Sequence, residues 1–210
     1  MSVSDLPVTL PDPLARRLAI ALDVEGKIPR ALDALGPLSG RDVAFVDGEP
    51  GGFAARLAEL GARVTTVAWS DTGAREQAAP WADALVACWS PFRGVVAGEM
   101  AEAARIVRPG GRLLVVHDYG RDDVSQLHAG EERPEYGLWS RRDGPFLANG
   151  FKVRVVHCWW TFDSIEGAQG FLGEAFGEAG RAFGAALKRP RLSYNVAIYH
   201  RTLGGASARA

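Results

Sequence analysis

Val43-Ala44-Phe45-Val46-Asp47-Gly48-Glu49-Pro50-Gly51-Gly52 is the stretch on which the reading of the fold turns. Four apolar residues run into a turn rich in glycine and acid, as a buried strand does when it feeds a tight loop. Phe53, Leu57 and Leu60 then recur on one helical face, and Gly61 is a good stop. A second strand follows at 64–67. Strand, glycine turn, helix and strand within about 30 residues make a βαβ unit, because parallel strands need a crossover of this length.

Outward from that unit the pattern repeats. Ala84-Leu85-Val86-Ala87-Cys88-Trp89 is a further buried strand, and Met100, Ala104 and Val107 follow at helical spacing. Pro109-Gly110-Gly111 breaks that helix. Leu113-Leu114-Val115-Val116 is a fourth strand, ending in His117-Asp118-Tyr119-Gly120. Residues 151–160 and 192–200 are longer β-rich runs, separated at 164–188 by a stretch with Phe171, Phe176 and Phe183 at helical spacing. Upstream, Asp12 is placed to cap a helix carrying Leu14, Leu18 and Leu22, with Gly26 closing it. A second helix is expected over 29–35, with Leu32 and Leu35 inward and Gly36 as its stop. The reading is an α/β chain with a doubly wound, Rossmann-like, mainly parallel sheet, taken as one domain over 1–210. Residues 1–37 form a helical flank or lid and 204–210 a tail.

Composition narrows the class. Lys and Arg number 24 against 25 Asp and Glu, for a net charge of −1, which gives no general pull toward nucleic acid or anionic lipid. A nucleic-acid patch at Lys188, Arg189 and Arg191 is the minor reading beside a solvated helix end. No apolar run reaches the roughly 18 residues of a membrane span, and no signal peptide is visible, so a cytoplasmic location without membrane contact is expected. Cys88 and Cys158 each sit in apolar runs and are expected as reduced, buried thiols.

The order of elements and several motifs resemble class I S-adenosylmethionine-dependent methyltransferases over roughly 38–201. The best local match is Glu102-Ala103-Ala104-Arg105-Ile106-Val107-Arg108-Pro109-Gly110-Gly111-Arg112-Leu113-Leu114, similar to the family's turn before its fifth strand. Asp83-Ala84-Leu85-Val86 resembles the start of the family's fourth strand, and Asn149-Gly150-Phe151 its turn into the sixth. The resemblance implies an antiparallel pair formed by the last two strands. It also implies S-adenosylmethionine as cofactor, over Asp47, Gly48, Glu49 and Gly51 and beside Trp69, Cys88 and Trp89. His117, Asp118 and Tyr119 would then face the acceptor, with His117 and Asp118 deprotonating a nucleophile.

The same alignment marks departures. Phe45 stands where the family carries an acid, and Asp47 and Glu49 stand at the first two glycine places. Ala68 stands where an acid would accept both ribose hydroxyls. Only 71–82 separate the second strand from Asp83, too short for a helix and a strand, so the sheet is expected to lack one strand. The edge left open would suit a second copy of the chain.

Each candidate also has a plain structural reading. The Asp47–Gly52 loop is a glycine turn, or a ligand loop whose acids suit an amine or sulfonium rather than phosphate. Asp118 caps a turn, with Arg121, Asp122 and Asp123 as a solvated helix start; a magnesium site there is the minor alternative. Trp89 and Phe92 are core or pocket wall. His157 is expected as a core histidine, buried with Trp159. Two functions stay open: a methyltransferase with a divergent cofactor loop acting on a small-molecule acceptor, or a non-catalytic protein of this fold that binds a protein partner.

Overall fold

The computed structural model describes residues 5–48, 52–69, 80–127 and 136–204. The elements in order are α1 (Asp12–Ala21), α2 (Lys27–Leu35), β1 (Asp42–Val46), α3 (Phe53–Glu59), β2 (Arg63–Val67), β3 (Ala82–Cys88), α4 (Ala97–Ile106) and β4 (Val107–Asp118). The short helices α5 (Asp123–Leu127), α6 (Tyr136–Trp139) and α7 (Pro145–Ala148) lead to β5 (Lys152–Thr161), α8 (Ile165–Ala185) and β6 (Arg191–Thr202).

The six described strands form one sheet in the order β2-β1-β3-β4-β6-β5. β2, β1, β3 and β4 are parallel. β6 lies antiparallel between β4 and β5, the expected C-terminal pair. Residues 70–79, where a strand is expected to be missing, lie outside the described residues.

Strand alternation builds two cores. Val43, Phe45, Val86, Cys88, Leu114 and Val116 point to one face, under α1, α2, α3 and α8. Ala44, Val46, Leu85, Ala87, Leu113 and Val115 point to the other, under α4 and the short helices α6 and α7. Central strands covered on both faces must be apolar at every position, which is why β1 and β3 read as unbroken runs. The inward face of α4 is Ala103 and Ile106 rather than Ala104, which is exposed.

Three boundaries differ from the sequence reading. Asp12 is not a cap: α1 begins at Asp12 behind Pro11, with no side-chain cap, and the acid sits in the first turn where the helix dipole favours it. Gly26 does not close α1 but opens α2 in the left-handed region at φ 65°. The cap of α2 is Asp23, whose buried carboxylate accepts from the backbone N–H groups of Lys27 (2.9 Å) and Ile28 (2.7 Å). The Pro-Gly-Gly turn lies inside β4 as a bulge: Ala82 pairs with Val107, and the next pair is Ala84 with Arg112. Gly111 is required there, since a Cβ would collide with Val107 and approach the Asp83 carbonyl at 2.7 Å.

The flank of α1 and α2 is not a lid. Leu18, Leu22, Ile28 and Leu32 are fully buried, Leu22 bridges Trp160, and Arg56 of α3 donates to the Ala19, Leu22 and Asp23 carbonyls at the end of α1. Cys88 and Cys158 are free and buried. β5 turns Val156, Cys158 and Trp160 inward, so His157 faces outward, correcting the expectation of a core histidine; its Nδ1 lies 2.6 Å from Asn195 Oδ1. Among the described residues no helix is long and apolar enough to cross a membrane.

α8 breaks at Gly177, where φ is 59° and ψ −129°. Beyond the break Gly180 is buried so closely on the Leu172 carbonyl that a Cβ would overlap it. Gly180→Ala is expected to cost about 1–3 kcal/mol by overpacking. Gly167→Ala, where a Cβ meets only Ser164 Oγ at 3.4 Å, is expected to be neutral or stabilising. Thermal denaturation of the two variants checks the contrast.

Candidate functional site at the carboxyl edge

The chain leaves β1 toward β2 on one side and returns to β3 on the other, so the carboxyl ends of β1 and β3 form the topological switch point where open α/β sheets bind ligands. Asp47 sits there, in the left-handed region at φ 52°. Its carboxylate accepts from the backbone N–H of Trp69 after β2 (2.8 Å) and from Ser90 Oγ after β3 (2.7 Å). Ser90 Oγ in turn accepts from the Phe92 N–H at 3.1 Å. One side chain thereby ties three strand ends. Gly48 beside it has no room for a Cβ, which would collide with the ring of fully buried Phe45. Glu49 and Gly51 lie outside the described residues.

Trp89 also has positive φ, 48°. This turns its indole Nε1 to donate to Asp118 Oδ1 at 2.8 Å. The Tyr194 hydroxyl donates to the same oxygen, and burial first, then Asp118, raises the phenol well above its usual range, so it stays a donor. Phe53 and Tyr194 flank Trp89 at ring distances of 5.5 and 6.4 Å. A carboxylate thus sits at the rim of three aromatic rings. Trp69 packs on Phe92 at 4.2 Å, and Ala68 is exposed and carries no acceptor. Cys88 is fully buried. Burial pushes its thiol well up and keeps it protonated.

The structure separates His117 from Asp118. They are neighbours on β4 and therefore point to opposite faces. Asp118 joins Trp89 and Tyr194, whereas His117 is buried against Trp139 (4.9 Å) and Phe146 (6.2 Å) under the other face. Among the described residues its Nε2 has no hydrogen-bond partner. Burial, and then the nearby Arg93 guanidinium, push its pKa down to about 3, so the ring is neutral. Tyr119 packs on the His117 side, with Arg121 over its ring at 5.8 Å. Asp122 and Asp123 tie the loop to β6: Asp122 accepts from the N–H groups of Ser125 and Asn195 (2.7 Å each), and Asp123 from that of Ser193 (2.8 Å). Among the described residues no three His, Cys, Asp or Glu side chains are grouped to hold a metal.

Three participants escaped sequence reasoning. Ser90 and Tyr194 become visible only when β3 and β6 are set beside Asp47 and Asp118. Asp5 comes from the far N-terminus. Its buried carboxylate accepts from the Phe53 N–H at 3.0 Å, and a Cβ on Gly52 would collide with it.

No family model matches the sequence, and no curated protein matches it. Among solved structures the chain is similar to a candidate type II methyltransferase from Anaeromyxobacter dehalogenans, with TM-score 0.52 and 18% identity over 83% of this chain and 95% of that one. That likeness shows the methyltransferase-type Rossmann-like fold. Fainter likenesses are to a candidate methyltransferase from an antibiotic biosynthesis pathway of Anabaena variabilis (TM-score 0.48, 14% identity, 88% and 99% covered). Another is to a SAM-dependent methyltransferase from Geobacter sulfurreducens in complex with S-adenosyl-L-homocysteine (0.40, 19%, 81% and 89%).

Buried neutral His117 makes stability depend on pH. Its folded pKa of about 3 lies below the usual 6.5, so the unfolded chain binds the proton first as pH falls. The residue's contribution is full above pH 6.5. Below that it is lost at about 1.4 kcal/mol per pH unit until pH approaches 3. Denaturant unfolding of the protein and of His117→Phe between pH 7 and pH 4 is expected to show a shallower decline in the variant.

Proposed function

We propose that the carboxyl edge binds S-adenosylmethionine and supports methyl transfer to a small-molecule acceptor. The observation that carries this reading is the Asp118 carboxylate, held by Trp89 and Tyr194 at the rim of an aromatic cluster beside the switch point. An anion and aromatic faces together suit a sulfonium cation, whose attraction to such rings is worth up to about 2 kcal/mol when desolvated. The bound cofactor supplies a methyl group activated by that positive sulfur. The residues present fit this half of the molecule better than the ribose half, because Ala68 offers no acceptor for the hydroxyls.

On this reading Asp47 shapes the floor by fixing Trp69 and Ser90, and half-buried Trp89, backed by buried Phe53 and Tyr194, forms the wall. Asp118 faces the charged centre and takes the proton that the acceptor releases. A carboxylate already accepting two hydrogen bonds is a weak base. That suits an acceptor with a lone pair free before proton loss, such as a neutral amine. His117 is assigned to packing, since its neutral ring lies on the opposite face. Tyr119, which packs on the His117 side, is given no part in the transfer.

The second reading, a non-catalytic binder, is favoured by the exposed Ala68 and by Asp5, which places the chain's own carboxylate over the β1–α3 turn. Calorimetry with S-adenosylmethionine and S-adenosylhomocysteine separates the two. The proposal expects binding of both, with Asp118→Asn weakening the sulfonium ligand about tenfold or more and the uncharged thioether much less. Equal loss for both ligands removes the charge argument. Absence of heat and of a thermal shift at millimolar ligand overturns the cofactor reading. Binding without methyl transfer to any of a panel of amines supports the binder.

A further inference from the structure

At the opposite end of the sheet a hollow of about 530 Å³ opens beside the amino ends of β1, β3 and β4, in the size range of small-molecule sites. Its apolar wall is Leu35, Pro37, Leu38 and Ala84, and its polar rim carries Arg41, Arg108 and Arg112 around Asp83.

The charges around it do not cancel. Asp42 accepts from Arg63 Nε at 2.7 Å, and Arg108 Nη1 reaches Asp83 at 2.8 Å and Asp42 at 3.4 Å. The second Asp83 oxygen accepts the Asp42 N–H at 3.0 Å. Both carboxylates are therefore engaged by Arg63 and Arg108, and both are held below the usual carboxylate range. Arg41, exposed at the rim, and Arg112 remain. Among the described residues Arg112 donates to neutral groups alone, Thr202 Oγ1 at 2.9 Å and the His200 ring at 3.2 Å, and its buried Nε has no acceptor. His200 titrates below its usual value, through burial first and then the charges of Arg112, Lys152 and Arg154. Four guanidiniums thus face Asp42, Asp83 and, at the wall, Asp33, whose carboxylate accepts from the Leu38 N–H at 2.7 Å, an excess of about one positive charge that favours an anion such as a phosphate monoester. Guanidinium forks pair with such oxygens in bidentate fashion.

We propose that this hollow binds a small phosphate monoester, its dianion anchored by Arg41 and Arg112 and its apolar portion laid against the wall formed by Leu35, Pro37 and Leu38. The site is separate from the carboxyl edge and independent of the cofactor reading.

Phenyl phosphate is a suitable probe, titrated calorimetrically at low ionic strength while the Arg112 Nε–H resonance is followed by NMR. Saturable binding with a shift of that resonance is expected. Affinity is expected to fall at least about tenfold in Arg41→Ala and in Arg112→Lys, which keeps the charge but loses the fork. Exposed Arg16 on α1 serves as control, and Arg16→Ala is expected to bind as the parent does. If Arg112→Lys unfolds, Arg41→Ala alone decides, because that side chain is exposed. No saturable heat at millimolar probe overturns the proposal. So does an equal loss in Arg16→Ala, which marks diffuse attraction to a charged surface rather than a site.

Discussion

The carboxyl edge of the sheet depends on Asp47. Three parallel strands end side by side, and their last peptide groups need partners that the ladder no longer supplies. Asp47 meets that need from the centre: its left-handed backbone turns the carboxylate sideways, toward the Trp69 N–H on one flank and Ser90 on the other. Ser90 then positions Phe92, and neighbouring Trp89 reaches Asp118. Bonded contacts of this kind run from the end of β2 to β6 through Tyr194. The floor of the candidate site is therefore a pre-organised network, with few side chains left to reorganise when a ligand arrives.

The period of two along a strand decides which residues can cooperate. His117 and Asp118 look like an acid–base pair in a linear reading. On β4 they fall on opposite faces, one into an apolar pocket that keeps its imidazole neutral, the other into the aromatic cluster at the switch point. The partners Asp118 does find come from β3 and β6, about 30 and 75 residues away in sequence. The two ends of the sheet are also chemically unlike. Acids with aromatic rings gather at the carboxyl edge, and excess guanidinium gathers at the amino edge.

Much of the architecture was legible in the sequence. Strands covered on both faces must be apolar throughout, so β1, β3 and β4 announced themselves, and the glycine turn and Pro-Gly-Gly supplied the punctuation. What misled was capping and facing. Gly26 reads as a helix stop, yet it opens the next helix, because buried Asp23 supplies the cap five residues before Ile28. His157 reads as buried within an apolar run, yet β5 is the edge strand of the sheet and its outward face is left exposed at His157. Pro-Gly-Gly reads as the stop of α4, yet the helix already ends at Ile106 and the turn is a bulge inside β4 that only the pairing register reveals.

By itself the sequence determined the order of the main strands and helices, the doubly wound sheet and the apolar cores, because these follow from local periodicity and the covering of strands; the antiparallel end was implied by the family resemblance alone. Only the tertiary structure decided that Asp118 rather than His117 faces the aromatic cluster, that Asp5 reaches the β1–α3 turn, and that Arg41 and Arg112 share a hollow. Those outcomes depend on which strand lies beside which and on the phase of each side chain about its strand, and both are set by packing between residues far apart in the chain.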